Sequence, residues 1–305
     1  MRVFSVVTGN TLNPNMMNLM CTESQKVSED KCFAEDRSIF RDERAVKKLL
    51  ETESQYVPEC DYMAHSGANL QPFMRRVVAT WMLDVCEEQN CEDQVFPLSV
   101  NFLDRFLCAC DISKTHLQLT GAVCLLLASK VRQCTALSIE LLCYYTENSV
   151  TPEEMREWEL LVISKLEWRI VAVTSFDYVD HILEQIKWKR RNDSMLRRHM
   201  LTLISFCYIE PEFIVKKPSV MAASCMLSAI RGIDPAAATE VAVQLCGLLA
   251  CSTAEVDELV SLIDALVAST TSAATPEKSE NNNPAAEPPV KKPYQVQDCS
   301  VHGGL

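Results

Sequence analysis

LQLTGAVCLLLA (residues 117–128) is apolar almost all the way round a helical wheel. A helix that is hydrophobic on every side belongs at the centre of a bundle, because no face is left that prefers water. The run is also too short to cross a bilayer, which needs about 20 apolar residues. A hundred residues further on, PSVMAASCMLSAI (218–230) has the same character, with many small side chains. Two central helices imply two all-α units, each wrapped around one of them.

The flanking patterns fit this plan. Leu70, Phe73, Met74, Val77, Val78, Trp81, Met82 and Val85 recur at steps of three and four, which is one wide helical face. Pro97 opens a further helical stretch carrying Leu98, Phe102, Leu103, Phe106 and Leu107. Thr151-Pro152-Glu153-Glu154 is a capping box with proline in the first turn, followed by Met155, Trp158, Leu161, Val162 and Leu166. In the second half, Phe176, Val179, Ile182, Leu183 and Ile186 form one stripe, and Met200, Leu203, Ile204 and Cys207 another. Asp234-Pro235 marks a helix start, and Ser252 with Glu255 caps the last helix. One early helix is expected from about Ser38 to Glu53. Residues 1–36 lack periodicity and read as a flexible arm. From Ser269 onward Ser, Thr, Pro, Asn, Glu and Lys dominate, so 269–305 is expected to be a disordered tail. The units between them span 37–172 and 173–268.

Composition excludes several classes. A net charge of −12 over 305 residues repels phosphate backbones, which argues against nucleic acid as a partner. The basic stretch Lys187-Trp188-Lys189-Arg190-Arg191 could stack and pair with bases, yet on this chain it fits a solvated helix end better. Only 7 glycines leave no phosphate-cradling loop. No secretory signal opens the chain, and no apolar run is long enough for a membrane span. The 15 cysteines include no Cys-x-x-Cys and sit largely inside helical patterns, where they act as small buried hydrophobes in a reducing compartment. His65, His116, His181, His199 and His302 do not pair at metal spacing. The acidic pairs Glu87-Glu88 and Glu153-Glu154 diverge on a helix rather than converge for acid–base work. No metal, no cofactor and no catalytic constellation is therefore expected: the residues describe a helical binding protein rather than an enzyme.

Residues 74–107, MRRVVATWMLDVCEEQNCEDQVFPLSVNFLDRFL, closely resemble the opening of a cyclin box. The matching positions are Met74, Arg75, Val77, Val78, Trp81, Asn101, Leu103, Asp104, Arg105, Phe106 and Leu107. Ala128-Ser129-Lys130 and TPEEMREWELLVISKLEW (151–168) continue the resemblance. It is strong from Arg37 to Ile170 and weaker, but continuous, to Ala268. ATWMLDVCEEQ (79–89) resembles the D-type version. The resemblance implies two tandem five-helix cyclin-box domains and a non-catalytic activator of a cyclin-dependent kinase. Its implied targets are retinoblastoma-family proteins at the G1/S transition, and its implied locations are the nucleus and cytoplasm.

The same resemblance assigns candidate sites. Lys130 and Glu159 match the charged pair of the kinase interface, although Lys130 also suits a helix C-terminus and Glu159 an ordinary exposed position. Trp168 matches an interface anchor, or else a core tryptophan. Gln133 stands where the family usually carries glutamate. Met74, Val78 and Trp81 share one helical stripe and match the patch that captures Arg-x-Leu peptides of substrates and kinase inhibitor proteins; without the resemblance such a stripe would be core. In the arm, Leu19, Cys21 and Glu23 form the Leu-x-Cys-x-Glu motif that docks on the retinoblastoma pocket, alternate residues facing one way on an extended strand. In the tail, Thr275-Pro276 resembles a phosphorylation-controlled degron read by a ubiquitin ligase. The competing readings are a transcription-type cyclin-fold scaffold, which would need basic faces to touch DNA, and a metal or redox enzyme built on the cysteines.

Overall fold

The sequence places a helix-compatible residue nearly everywhere and a turn-former rarely, and the computed structural model shows the result. It describes residues 37–59, Tyr62, 70–188 and 193–273. No strand occurs among them. Two short helices come first, α1 (Arg37–Phe40) and α2 (Glu43–Glu53). The first unit follows: α3 (Pro72–Glu88), α4 (Val95–Ala109), α5 (Leu117–Arg132), α6 (Ile139–Tyr145) and α7 (Pro152–Lys165). The second comprises α8 (Ser175–Gln185), α9 (Asp193–Ile209), α10 (Pro218–Ile233), α11 (Ala238–Leu249) and α12 (Thr253–Ala273). The expected pair of five-helix units is thus present.

Each unit has its own core. In the first, α5 is buried from Leu117 to Ser129 save Gln118, with α4, α7 and α3 laid against it. In the second, α10 is buried from Pro218 to Leu227 and is packed by α12, α9 and α11. Small residues let neighbours come close. A Cβ at Gly121 of α5 would lie 2.8 Å from Val78 Cγ1 of α3.

Helix starts follow the sequence signals, with three shifts. The Thr151–Glu154 and Ser252–Glu255 boxes form as expected: each N-cap hydroxyl accepts from the glutamate N–H, and each glutamate accepts from the N-cap N–H. The early helix is broken in two, because Asp42 takes an extended backbone and its carboxylate accepts from Arg44 N–H, capping α2 afresh. α4 begins at Val95 rather than Pro97; proline is tolerated there because first-turn N–H groups lack intrahelical partners anyway. Asp234 ends α10 instead of opening the next helix, and α11 starts at Ala238 after a turn. The tail's first residues, through Ala273, continue α12.

Helix ends are unusual. A helix commonly stops on a left-handed residue, normally glycine, whose successor donates back into the last turn. Here Asn90, Glu147, Glu167 and Ala250 take φ of 48°, 54°, 55° and 50°. The return bonds run from Cys91 N–H to Cys86 O (2.9 Å), Asn148 N–H to Cys143 O (2.9 Å) and Trp168 N–H to Ile163 O (3.0 Å).

Two buried carboxylates organise the long-range packing, one through an arginine that bridges the units and one by fastening α2 to the second unit. Arg75 of α3 is 1% exposed. Its Nε and Nη2 donate to the two oxygens of Asp104 in α4, at 3.1 and 2.8 Å. Its Nη1 reaches across the domain boundary to the last carbonyls of α9, Tyr208 O at 2.7 Å and Ile209 O at 2.5 Å. Tyr62 Oη donates to Asp104 at 2.7 Å. Burial opposes the guanidinium charge, but the Asp104 carboxylate outweighs it and raises the Arg75 pKa above its ordinary value. The second carboxylate is Glu53. It is 4% exposed and accepts from Ser219 N–H (2.9 Å), Ser219 Oγ (2.7 Å) and Tyr178 Oη (2.9 Å). It therefore sits on the N-terminus of α10, where a negative charge is favoured. With Val46 inside the second core and Leu49 and Leu50 packed against it, α2 lies on the second unit although it precedes the first in sequence.

Removing one partner of the Arg75–Asp104 pair strands the other charge. Asp104→Ala should lower unfolding stability by about 3–5 kcal/mol, whereas Arg75→Met, which removes the charge and keeps the stem, combined with Asp104→Leu should cost markedly less. Denaturant midpoints would check this; equal losses in the two variants would refute it.

Candidate functional site

One face with exposed apolar side chains and a charged pair is built by α5, α7 and the segment after α7. Lys130 projects from the last turn of α5, and its Nζ meets Glu159 Oε1 of α7 at 2.5 Å. The side chains are 46% and 23% exposed, so the pair faces solvent rather than the core. α7 also presents Leu160 and Leu161, and beyond its end Trp168 and Val171 stand about two-thirds exposed. Trp168 is a surface residue, which settles its core alternative. Its position is held by the backbone: Glu167 and Trp168 are both left-handed, an arrangement that costs energy for side chains of this size. The helix end thus aims an indole outward at a conformational cost.

Gln133 caps α5 and donates through Nε2 to Thr135 O at 2.7 Å, anchoring the loop that leaves the helix. An acid could not make that bond, so glutamine has a local structural use at the position where the resemblance implied glutamate.

The stripe on α3 divides. Val78 is 8% exposed and forms a floor against Gly121. Met74 and Trp81 are half-buried at the edge of the first core. Phe73 and Val77, one turn apart, are 54% and 62% exposed. Sequence periodicity grouped these two with the core face; the signal against this was that eight apolar residues make a stripe wider than a single contact needs. Met74, Trp81, Phe73 and Val77 thus share one solvent-facing shelf of α3.

The remaining candidates stand elsewhere. Leu19, Cys21 and Glu23, and Thr275 with Pro276, lie outside the described residues. Trp188 packs against the second core, so its ring is not offered to a base. Cys207 and Cys225 meet in the second core with sulfurs 3.8 Å apart. Among the described residues no three His, Cys, Asp or Glu side chains cluster as a metal site.

Two tandem helical units with these surfaces match known families. Residues 44–171 match the cyclin N-terminal domain and residues 173–287 the cyclin C-terminal domain. G1/S-specific cyclin-D2 of Rattus norvegicus is 45% identical over 218 residues, covering 72% of this chain and 74% of the relative. G1/S-specific cyclin-D3 and cyclin-D1 of Homo sapiens are 39% and 38% identical over 217 and 216 residues, each covering 71% of this chain and 74% and 72% of the relative. The solved structure of a viral cyclin from herpesvirus saimiri superimposes with a TM-score of 0.57 at 26% identity, covering 66% of this chain and 90% of that one. The chain therefore belongs to the cyclin family, in its D-type branch.

The floor of the α3 shelf is open to test. Gly121→Ala drives a methyl into Val78 and should cost about 1–3 kcal/mol. Adding Val78→Ala should recover part of that loss in thermal unfolding; a double variant as unstable as the sum of the singles would show that the two do not touch.

Proposed function

We propose that this chain is the activating, non-catalytic subunit of a cyclin-dependent kinase. The observation that supports this most directly is the exposed Lys130–Glu159 pair, together with the exposed Leu160, Trp168 and Val171 of α7 and the segment after it, in a D-type cyclin. Apolar anchors of this kind supply most of an interface's affinity, and the charges fix register. In this reading the face packs on the kinase N-lobe and its regulatory helix. The kinase's own Lys–Glu pair, which aligns ATP phosphates, then forms. The cyclin contributes no reacting group. A rigid surface suffices, because the kinase element has two arrangements and the cyclin binds one of them better.

The wider reading assigns the other sites. The Met74–Val78–Trp81 shelf receives Arg-x-Leu segments of substrates and kinase inhibitor proteins. Leu19, Cys21 and Glu23 dock a retinoblastoma-family protein, whose phosphorylation at G1/S is the output. Phosphorylation at Thr275, before Pro276, hands the tail to a ubiquitin ligase. The complex works in the nucleus and cytoplasm.

Lys130→Glu places two acids together on the face and should weaken association of the full chain with purified D-cyclin-binding kinases by about 30-fold or more, on the order of 2 kcal/mol. Calorimetry would measure it; undiminished binding would move the interface elsewhere. Cys21→Ala should weaken binding to the retinoblastoma pocket and leave kinase affinity unchanged, so a parallel loss of both would refute separate docking.

A further inference from the structure

Beyond the faces described above, three cations converge where the end of α4, the end of α7 and the segment after α2 meet. They line a notch of about 200 Å³ with Gln55, Val57, Glu59 and Glu167. Arg105 comes from α4, Lys165 from the last turn of α7, and Arg169 from just beyond it. The Tyr56 ring carries two guanidiniums, with Arg105 Cζ 5.2 Å and Arg169 Cζ 5.9 Å from its centroid. Tyr56 is itself held, since Asn101 Nδ2 donates to its carbonyl at 2.7 Å.

The charges are poorly neutralised. Arg105 Nη1 donates to uncharged acceptors, Arg169 O at 2.9 Å and Asn101 Oδ1 at 3.5 Å. Among the described residues no carboxylate comes within 4 Å of Arg105 or Lys165, and Arg169 meets Glu167 only at 4.0 Å. Burial, and then the charge of Arg169, hold the Arg105 pKa below its ordinary value. Two like charges gathered on one ring are favoured once an anion lies between them, and guanidinium forks match the oxygens of phosphate and carboxylate. The lining carries three cations and two acids, a net positive count on a chain whose net charge is −12.

We propose that Arg105 and Arg169, gathered on the Tyr56 ring, and Lys165, which lines the same notch, form a binding site for a phosphate-class oxyanion, either free phosphate or a phosphorylated side chain of a bound protein. The site borders the proposed kinase face through the segment after α7 but does not rest on that reading, and its test requires no kinase. Phosphorus NMR titrations of the full chain at constant ionic strength would use inorganic phosphate in one arm and N-acetyl-phosphoserine amide in the other.

Saturable binding is expected, weakened about tenfold or more by Arg169→Ala and changed less than about twofold by Arg156→Ala, an exposed cation elsewhere on α7. Lys165→Ala should weaken it too, and helical circular dichroism would show that each variant is folded. Tighter binding of inorganic phosphate than of the phosphoserine amide supports a free ligand; equal or tighter binding of the amide supports a protein-borne one. Absence of saturation in both arms, or an equal loss in Arg156→Ala and Arg169→Ala, would overturn the site.

Discussion

A guanidinium with no access to water holds this molecule's two halves in place. Arg75 satisfies Asp104 within its own unit and the final carbonyls of α9 in the other. Those carbonyls are the negative end of a helix dipole, so the cation is favoured by both of its neighbours. Arg76, beside it, pairs with Glu210 just past the same helix end. Burying such a charge is costly without partners. Any rotation of one unit against the other would break several charged hydrogen bonds together. The relative placement of the faces on α3, α5 and α7 depends on that constraint.

Much of this architecture is local and therefore legible in the residues. The two apolar helices, the capping boxes at Thr151 and Ser252, and the division into two all-α units follow from periodicity and from side chains acting on their own backbone, whereas the count of five helices in each unit came from the resemblance. The misplaced boundaries share a cause. Asp42, Pro97 and Asp234 are each compatible with two positions relative to a helix end, and tertiary context chooses between them. Arg75 and Glu53 were not interpretable from the chain alone. Each is a charged residue on a helix, and its structural role depends on partners more than a hundred residues away, Tyr208 and Ile209 for Arg75 and Ser219 for Glu53.

The candidate surfaces were legible in a different way. Lys130 and Glu159 stood out through resemblance, and nothing in their local sequence distinguishes them from ordinary surface charges. Their meeting across α5 and α7 is tertiary. Trp168 was ambiguous because a tryptophan after an amphipathic helix can turn inward or outward. The left-handed pair at Glu167 and Trp168 decides the direction, and a backbone conformation of that kind leaves no mark in a sequence without glycine. Phe73 and Val77 carried a signal, an over-wide stripe, that periodicity alone assigns to the core.

The placement of α2 has a consequence for synthesis. Glu53 and its partner Ser219 are 166 residues apart. At ribosomal rates of about 5–20 residues per second, the helix is complete on the order of 10–30 s before its docking surface exists. Its apolar residues Val46, Leu49 and Leu50 have no core to join in that interval. The first unit can close on its own contacts while α2 waits, and the second unit is finished by a piece made at the outset. The newborn chain thus has a period in which the apolar face of one amphipathic helix is uncovered, and it ends when α10 has been made and its N-terminus receives the Glu53 carboxylate.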